Sequence, residues 1–113
     1  MTVNTMPRQE VQEHATTSHE IQIQSIQDLR ARIANTDQEI IALIAHRLEL
    51  VRTLGAEKTR HGLTAADPAR EAVVLRTAAA SARAAGLDEE RVREMFWCVI
   101  KMSRSVQLRE HGR

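Results

Sequence analysis

The sequence contains a single cysteine, Cys98, and only two aromatic residues, Phe96 and Trp97, among its 113 residues. One cysteine excludes an internal disulfide framework and a zinc cluster built from cysteines, and it fits a reducing compartment. The chain has only 4 glycines and 2 prolines, whereas alanine, leucine, arginine and glutamate are abundant. Because sheets need β-branched and aromatic strands separated by glycine-rich turns, the composition predicts an all-α fold.

A large excess of charge of one sign is also missing. Lysine and arginine total 16 against 15 aspartates and glutamates, which gives a formal net charge of +1. Any function that depends on charge must therefore be local. No run of about 18 apolar residues occurs, and residues 1–20 lack the apolar segment of a secretory signal. We expect a cytoplasmic protein that binds neither membranes nor nucleic acid.

The apolar residues of the first half recur at helical spacing. From Ile26 onward they follow steps of three, four or seven residues, and no glycine or proline interrupts them before Gly55. We predict one long helix that continues to about Arg60. The apolar positions are Leu29, Ile33, Ile40, Leu43, Ile44, Leu50, Val51 and Leu54.

The length of this helix predicts an assembly. Nearly forty residues at about 1.5 Å each give roughly 60 Å, whereas a compact domain of this size has a radius of gyration of about 13 Å. Its apolar stripe would be exposed in a monomer, so we expect an intertwined homodimer. Residues 1–20 are polar and show no sustained period, and we interpret them as a flexible tail before a helical domain of residues 21–113.

Two shorter helices should complete the chain. Asp67 and Pro68 are typical of an N-cap and the first helical residue, and Gly86 is typical of the position just past a helix C-terminus. Asp88 should cap a third helix, which we expect to fray in the basic end at residues 109–113. The sequence thus predicts three helices of unequal length in each chain.

Five polar residues fall where the apolar stripes predict inward-facing side chains. Arg47 and Lys58 share a face of the first helix, because eleven residues make nearly three whole turns. Glu71 lies on the inward face of the second helix, and Ser103 and Gln107 continue the apolar line of the third. Such a residue is usually exposed at a rim or paired locally, but five of them together predict a pocket, because unpaired buried charge is costly. The set suits a small polyanion with hydroxyl or ether oxygens, since arginine binds carboxylates with two parallel hydrogen bonds.

Other polar clusters have a simpler interpretation. We interpret four arginines as a solvated face, with contact to a partner protein as the alternative. The five histidines lack metal-ligand spacing, and Cys98 has no recognisable base partner, so no metal site and no nucleophile are predicted. The four arginines are Arg83, Arg91, Arg93 and Arg104.

The spacing of these residues resembles that of the all-helical (AroQ-type) chorismate mutases. The resemblance covers about residues 26–109 and rests on the combination of positions. It implies an isomerase of the shikimate pathway that converts chorismate to prephenate in aromatic amino-acid biosynthesis, without a metal or a cofactor. The matching positions are Leu29, Arg30, Asp37, Arg47, Gly55, Lys58, Asp67 to Glu71, Gly86 to Asp88 and Ser103 to Gln107.

The resemblance also implies an intertwined dimer with two equivalent pockets. Arg30 would come from the partner chain, and its position about 100° around the helix from Arg47 agrees with this. Arg30, Arg47 and Arg70 would hold the two carboxylates of chorismate, and Ser103 would support one of these contacts.

The remaining implied roles concern the reacting part of the substrate. Lys58 and Gln107 would donate hydrogen bonds to the enolpyruvyl ether oxygen, while Asp67 and Glu71 would bind the ring hydroxyl. The resemblance thus assigns catalysis to Lys58, Gln107, Arg47 and Glu71. The apolar walls would be Leu54 and Ile100.

Other functions remain open from the sequence. Similar helical dimers act on amino-deoxychorismate or eliminate pyruvate from isochorismate, although the acidic pair of Asp67 and Glu71 favours a ring hydroxyl. A helical dimer of this size could instead be a regulatory or DNA-binding module, with the third helix in a groove. Balanced charge and inward-facing cations argue against it, because groove readers display their cations outward.

Overall fold

The computed structural model describes the backbone of residues 7–111 and the side chains of residues 17–107. This part of the chain forms three α-helices and no strand: α1 (Pro7–Arg60), α2 (Pro68–Ala84) and α3 (Glu89–His111). The predicted all-α class, with one very long and two shorter helices, is confirmed. None of the described helices combines the length and apolarity that a bilayer crossing requires.

Helix α1 has 54 residues and runs through Gly55 to Arg60, as predicted. It begins at Pro7, earlier than the sequence predicted, because the segment after Pro7 contains no glycine or proline to stop a helix. The prediction relied on the apolar stripe, which starts only at Ile26, and a polar segment can be helical without one. That residues 1–20 form a flexible tail stays a prediction, and residues 1–6 lie outside the described part.

Glycines with positive φ end α1 and α2. Gly62 has φ 69° and Gly86 has φ 74°. After α2, Leu87 N–H donates to the carbonyl of Ala82 and Gly86 N–H to that of Arg83, at 2.8 and 3.1 Å. This pair of hydrogen bonds is the Schellman motif, in which the last carbonyls of a helix accept hydrogen bonds from the residues that follow it. The motif recurs after α1, and Gly86 is confirmed in the position just past the C-cap of α2, Ala85.

Aspartates begin the two shorter helices. The Asp67 carboxylate accepts a hydrogen bond from the Arg70 backbone N–H at 3.0 Å, and Pro68 occupies the first helical position. The Asp88 carboxylate accepts one from the Arg91 N–H at 3.1 Å. Both predicted N-caps are confirmed.

The chain divides into two compact units, Met1–Ile41 and Ala42–Arg113. In the second unit α2 packs against α3. Small side chains on α2 allow the two helices to approach closely. The buried apolar residues are Ala78, Ala79, Ala82, Ile100 and Val106.

The apolar stripe of α1 is exposed. Most of its large apolar side chains retain between 44% exposure, at Ile23, and 66%, at Leu43, whereas Ile44 and Val51 are half-buried. Single exposed apolar residues are normal on a protein surface, but a row of them along one helix is typical of a surface that binds another molecule. The predicted homodimer stays a prediction.

We predict that Gly86→Ala lowers the free energy of unfolding by about 1 kcal/mol, because an L side chain is disfavoured at positive φ. The space around Gly86 is open, so the cost comes from the backbone and not from a clash. Gly86→Asn should lose less, since asparagine tolerates this conformation. Urea unfolding followed by circular dichroism measures both.

The matched control is Ala80→Gly in the middle of α2, where the opposite exchange should also destabilise the protein, by about 0.5–1 kcal/mol. If Gly86→Ala were neutral or stabilising while Ala80→Gly behaved as expected, the left-handed conformation at Gly86 would be wrong.

Candidate active site

A cavity of about 260 Å³ lies within the second unit, between residues of all three helices and the loop after α1. Its apolar wall consists of Leu50, Val51, Leu54, Ala65, Val74 and Ile100. Its polar side chains are Arg47, Lys58, Asp67, Arg70, Glu71, Ser103, Arg104 and Gln107.

Arg47 reaches from α1 to α3. Its Nη1 donates a hydrogen bond of 2.7 Å to Ser103 Oγ, and the same hydroxyl donates to the Val99 carbonyl at 3.0 Å. Ser103 is 9% exposed, so its hydroxyl is fixed in the wall of the cavity. A guanidinium has five N–H donors, and Ser103 engages one of them, so Arg47 can also bind an anion in the cavity.

Lys58 lies in the last turns of α1 and is half-buried. Its ammonium donates to the carbonyl of Ala65 at 3.3 Å, and its own carbonyl accepts the 2.8 Å bond from Leu63 N–H in the turn after α1. The loop therefore orients the lysine over the cavity, and an ammonium with three donors can still bind a ligand oxygen.

Three polar residues of the cavity come from the start of α2. Asp67 is the N-cap, and Arg70 and Glu71 follow in the first turn. The positive end of the helix dipole favours carboxylates at this place. Asp67 and Arg70 are exposed, whereas the Glu71 side chain is only 23% exposed.

Glu71 is paired with Arg104 of α3 in a two-pronged ion pair. Arg104 Nε lies 2.9 Å from one carboxylate oxygen and Nη2 lies 2.6 Å from the other. These hydrogen bonds lower the pKa of Glu71, against the opposing effects of burial and of the neighbouring Asp67. The carboxylate is therefore ionised at neutral pH and can accept, but not donate, hydrogen bonds from a ligand.

Arg104 is exposed, as the predicted solvated face implies, but the prediction missed that it also belongs to the cavity. Its side chain lines the cavity, and its guanidinium lies 4.9 Å from the centre of the Trp97 ring. Sequence reasoning missed this because Glu71, its partner, is on another helix. The available signals were its place between Ser103 and Gln107 and its spacing of seven residues, two helical turns, from Trp97.

The other three arginines of that face behave differently. They form exposed ion pairs with glutamates, at 2.7 Å for Arg83, 3.3 Å for Arg91 and 2.6 Å for Arg93. These residues do not line the cavity. The interpretation as a solvated face holds for them.

Seven of the eight predicted site residues thus line one cavity. The eighth, Arg30, is exposed on α1 in the other compact unit. Among the described residues there is no group of three histidines, cysteines or acidic residues that could hold a metal ion. The arrangement can bind a small anion, place cations and an amide against its oxygens and enclose its apolar part.

The sequence matches the chorismate mutase type II family over residues 29–108, which includes every polar residue of the cavity. The chain belongs to the chorismate mutase type II family. The match confirms the resemblance found in the sequence, and it indicates chorismate mutase activity, an isomerisation, for this domain.

Two relatives are similar to this chain over part of its length. The T-protein of Haemophilus influenzae is 36% identical over 74 residues, which is 66% of this chain and 20% of the relative. The T-protein of Enterobacter agglomerans is 35% identical over 75 residues, with the same shares. The chain therefore spans about a fifth of the length of these relatives.

We predict a pH-dependent contribution of the Glu71–Arg104 pair to stability. Because the folded-state pKa of Glu71 lies below its ordinary value of 4.5, the pair stabilises the protein above that pH, and the contribution disappears as the pH falls through the folded-state pKa. Glu71→Gln should lower the free energy of unfolding at pH 7 and cost less in acid. Urea unfolding between about pH 3 and pH 7 measures this.

The single variants Glu71→Gln and Arg104→Gln and their double variant complete a cycle that isolates the pair. The coupling free energy should shrink toward zero in acid. A coupling that stayed the same throughout the pH range would contradict the ion pair.

Proposed function

We propose that this chain catalyses the rearrangement of chorismate to prephenate in aromatic amino-acid biosynthesis. One observation carries the proposal beyond the family match: a single cavity holds arginines, a lysine, carboxylates and an amide beside an apolar wall. The substrate has two carboxylates, an ether oxygen, a ring hydroxyl and an apolar ring face, and each has a group of complementary chemistry in this cavity.

The reaction takes place within one molecule. The carbon–oxygen bond of the enolpyruvyl ether breaks while a carbon–carbon bond forms to the ring, and no group is gained or lost. The protein therefore needs neither a nucleophile nor an acid–base pair nor a cofactor. Its work is to hold the compact conformer in which the reacting carbons are close, and to stabilise the charge that develops.

Arginines hold the two carboxylates. Arg47 is positioned by Ser103, at 2.7 Å, so the guanidinium is oriented before the substrate binds. Arg70 stands at the start of α2, where the helix dipole adds to its attraction for an anion. Arg30 of a second chain provides a further contact.

Lys58 and Gln107 donate hydrogen bonds to the ether oxygen, which becomes more negative as its bond to carbon breaks. Both side chains are half-buried, so water screens these contacts only in part. An acceleration of about 10⁶ requires roughly 8 kcal/mol. Two or three preorganised charged contacts are sufficient for a term of that size, since one donor of this kind contributes about 3–4 kcal/mol in other enzymes.

The ring hydroxyl binds the acidic residues at the start of α2. Glu71 is ionised and held by Arg104, so it accepts the hydroxyl hydrogen in a fixed direction. Asp67 has one oxygen engaged by the Arg70 backbone N–H and lies beside Glu71 in the cavity wall.

The working unit is a homodimer in the cytoplasm. The exposed apolar row along α1 supports the proposal that a second chain covers this helix. Arg30, which is exposed on the same helix, would then reach the pocket of the partner chain. The single cysteine fits a reducing compartment. The helical DNA-binding alternative is disfavoured, because the outward-facing arginines next to α3 and on it are neutralised by glutamates.

Incubation of the purified protein with chorismate tests the activity. The enol-ether absorbance should disappear and prephenate should appear by mass spectrometry. A variant tests the role of Gln107. Gln107→Glu can donate to the ether oxygen only while the new carboxyl is protonated, so its kcat/KM should be highest in acid and fall as the pH rises, while that of the parent changes less.

Circular dichroism at each pH verifies that the variant is folded. A folded Gln107→Glu protein with the parent's pH profile would remove Gln107 from the ether oxygen and leave that role to Lys58. A parent protein without turnover of chorismate would refute the proposed function.

Complementation tests the shared pocket. Arg30→Ala and Lys58→Ala chains should each be nearly inactive. Subunit exchange forms heterodimers in which one pocket has both residues and the other has neither, so an equal mixture should recover up to about a quarter of the parent's activity.

Subunit exchange must be demonstrated independently, for example with differently tagged chains. Exchange without any recovery would mean that Arg30 and Lys58 serve the same pocket from one chain. A folded, active monomer in sedimentation equilibrium would refute the dimer itself.

A further inference from the structure

Arg104 stands in the wall of the cavity and, in the reaction described so far, only holds Glu71. Its side chain is 48% exposed, yet it is held from two sides. Its guanidinium makes two short hydrogen bonds to Glu71 and lies over the Trp97 ring at 4.9 Å. Stacking on an aromatic face and two parallel hydrogen bonds to a carboxylate both favour arginine over lysine.

The ion pair changes what Glu71 offers to a ligand. A carboxylate has about four lone-pair positions, and Arg104 uses one on each oxygen, so both oxygens can still accept a hydrogen bond. The negative charge, however, is compensated by the guanidinium. Glu71 is therefore a good acceptor for a neutral hydroxyl and a weak counterion for an ammonium group.

We propose that Arg104 is a positioning residue that holds Glu71 in place and sets the preference of the cavity for a ring hydroxyl over a ring ammonium. This inference rests on the proposed function, in which Glu71 binds the ring substituent of chorismate. The competing substrate is the 4-amino analogue of chorismate, 4-amino-4-deoxychorismate, whose amine carries a proton at neutral pH. With this analogue bound, the Glu71 carboxylate would face two cations, the Arg104 guanidinium and the ammonium of the ligand. One negative charge cannot balance both, so Arg104 disfavours this analogue.

Glu71 is surrounded by charged groups from each helix of the unit. Asp67 and Arg70 are on its own helix, Arg47 and Lys58 are on α1, and Arg104 is on α3. Of these, Arg104 is the one that donates hydrogen bonds to the Glu71 carboxylate. Its removal should therefore raise the pH at which the carboxylate becomes ionised, and the acid limb of the kcat/KM profile should move to higher pH.

The experiment compares kcat/KM for chorismate and for 4-amino-4-deoxychorismate in the parent and in Arg104→Gln. Removing the positive charge that Arg104 places beside the Glu71 carboxylate should shift the ratio of the two values about tenfold toward the amine. Arg104→Lys keeps the charge and should restore most of the parent's preference. The matched control is Arg83→Gln, because Arg83 pairs with Glu89 through the same atoms, at 3.1 and 2.7 Å, outside the cavity. It should leave the ratio and the pH profile unchanged.

A folded Arg104→Gln protein with the parent's ratio and acid limb would overturn the inference. If that variant does not fold, Arg104→Met, which keeps a long apolar side chain against Trp97, decides by the same ratio. An equal shift in Arg83→Gln would also overturn it, because the effect would then follow from any lost ion pair. A parent without activity toward chorismate would instead refute the proposed function.

Discussion

The hydrogen bond from Arg47 to Ser103 joins α1 to α3 across 56 positions of the chain, and the arrangement of the cavity depends on it. A half-buried guanidinium is costly unless its donors are engaged, and Ser103, whose hydroxyl also donates to Val99, meets that need. The bond therefore stabilises the position of α1 and orients Arg47 toward the cavity. The same hydrogen bond contributes to stability and orients a cavity residue. A substitution at Arg47 or Ser103 should therefore change both the free energy of unfolding and ligand binding.

Few apolar side chains support these polar contacts. The buried apolar residues of the described part are three alanines on α2 and Ile100 and Val106 on α3, and no large side chain there is completely buried. A small domain buries a modest fraction of its surface even when its core is large. The exposed apolar row on α1 is thus a source of further stabilisation that the proposed homodimer would use.

Much of the fold follows from local chemistry. Asp67, Asp88 and Gly86 could be placed at helix ends from sequence because a cap depends on the residue itself and on backbone groups within a few positions. The start of α1 could not, since the apolar stripe that signals burial begins at Ile26, whereas an existing helix can extend through a polar segment that has no glycine or proline. Extension of the apolar stripes found five of the polar cavity residues, because residues at helical spacing share one face of a helix. Asp67 and Arg70 were assigned to the site only by the family resemblance.

Arg104 shows where that reasoning ends. Extension of the apolar line of α3 selects Ser103 and Gln107, which lie on it. It does not select Arg104, which follows Ser103 in the sequence and therefore lies about 100° around the helix from it. An arginine side chain is long enough to reach around its helix, and whether it does depends on a partner that local sequence does not reveal. Here the partner, Glu71, is 33 positions away. Ion pairs between helices are fixed by tertiary packing, so they become visible only in the folded chain.

The charge of the cavity explains why the composition of the whole chain is uninformative about the ligand. The chain has a net charge of +1, but four cations and two carboxylates line the cavity, which leaves its wall more positive than the whole protein. Compensating acidic residues elsewhere keep the remaining surface close to neutral, so a dianion is attracted mainly to the cavity. Within it the cations are not equivalent, because Arg104 is neutralised by Glu71 while Arg47 is bound to the uncharged Ser103. In the proposed function Arg47 would therefore keep its full charge for a substrate carboxylate, and Arg104 would act on the substrate through the Glu71 carboxylate that it holds.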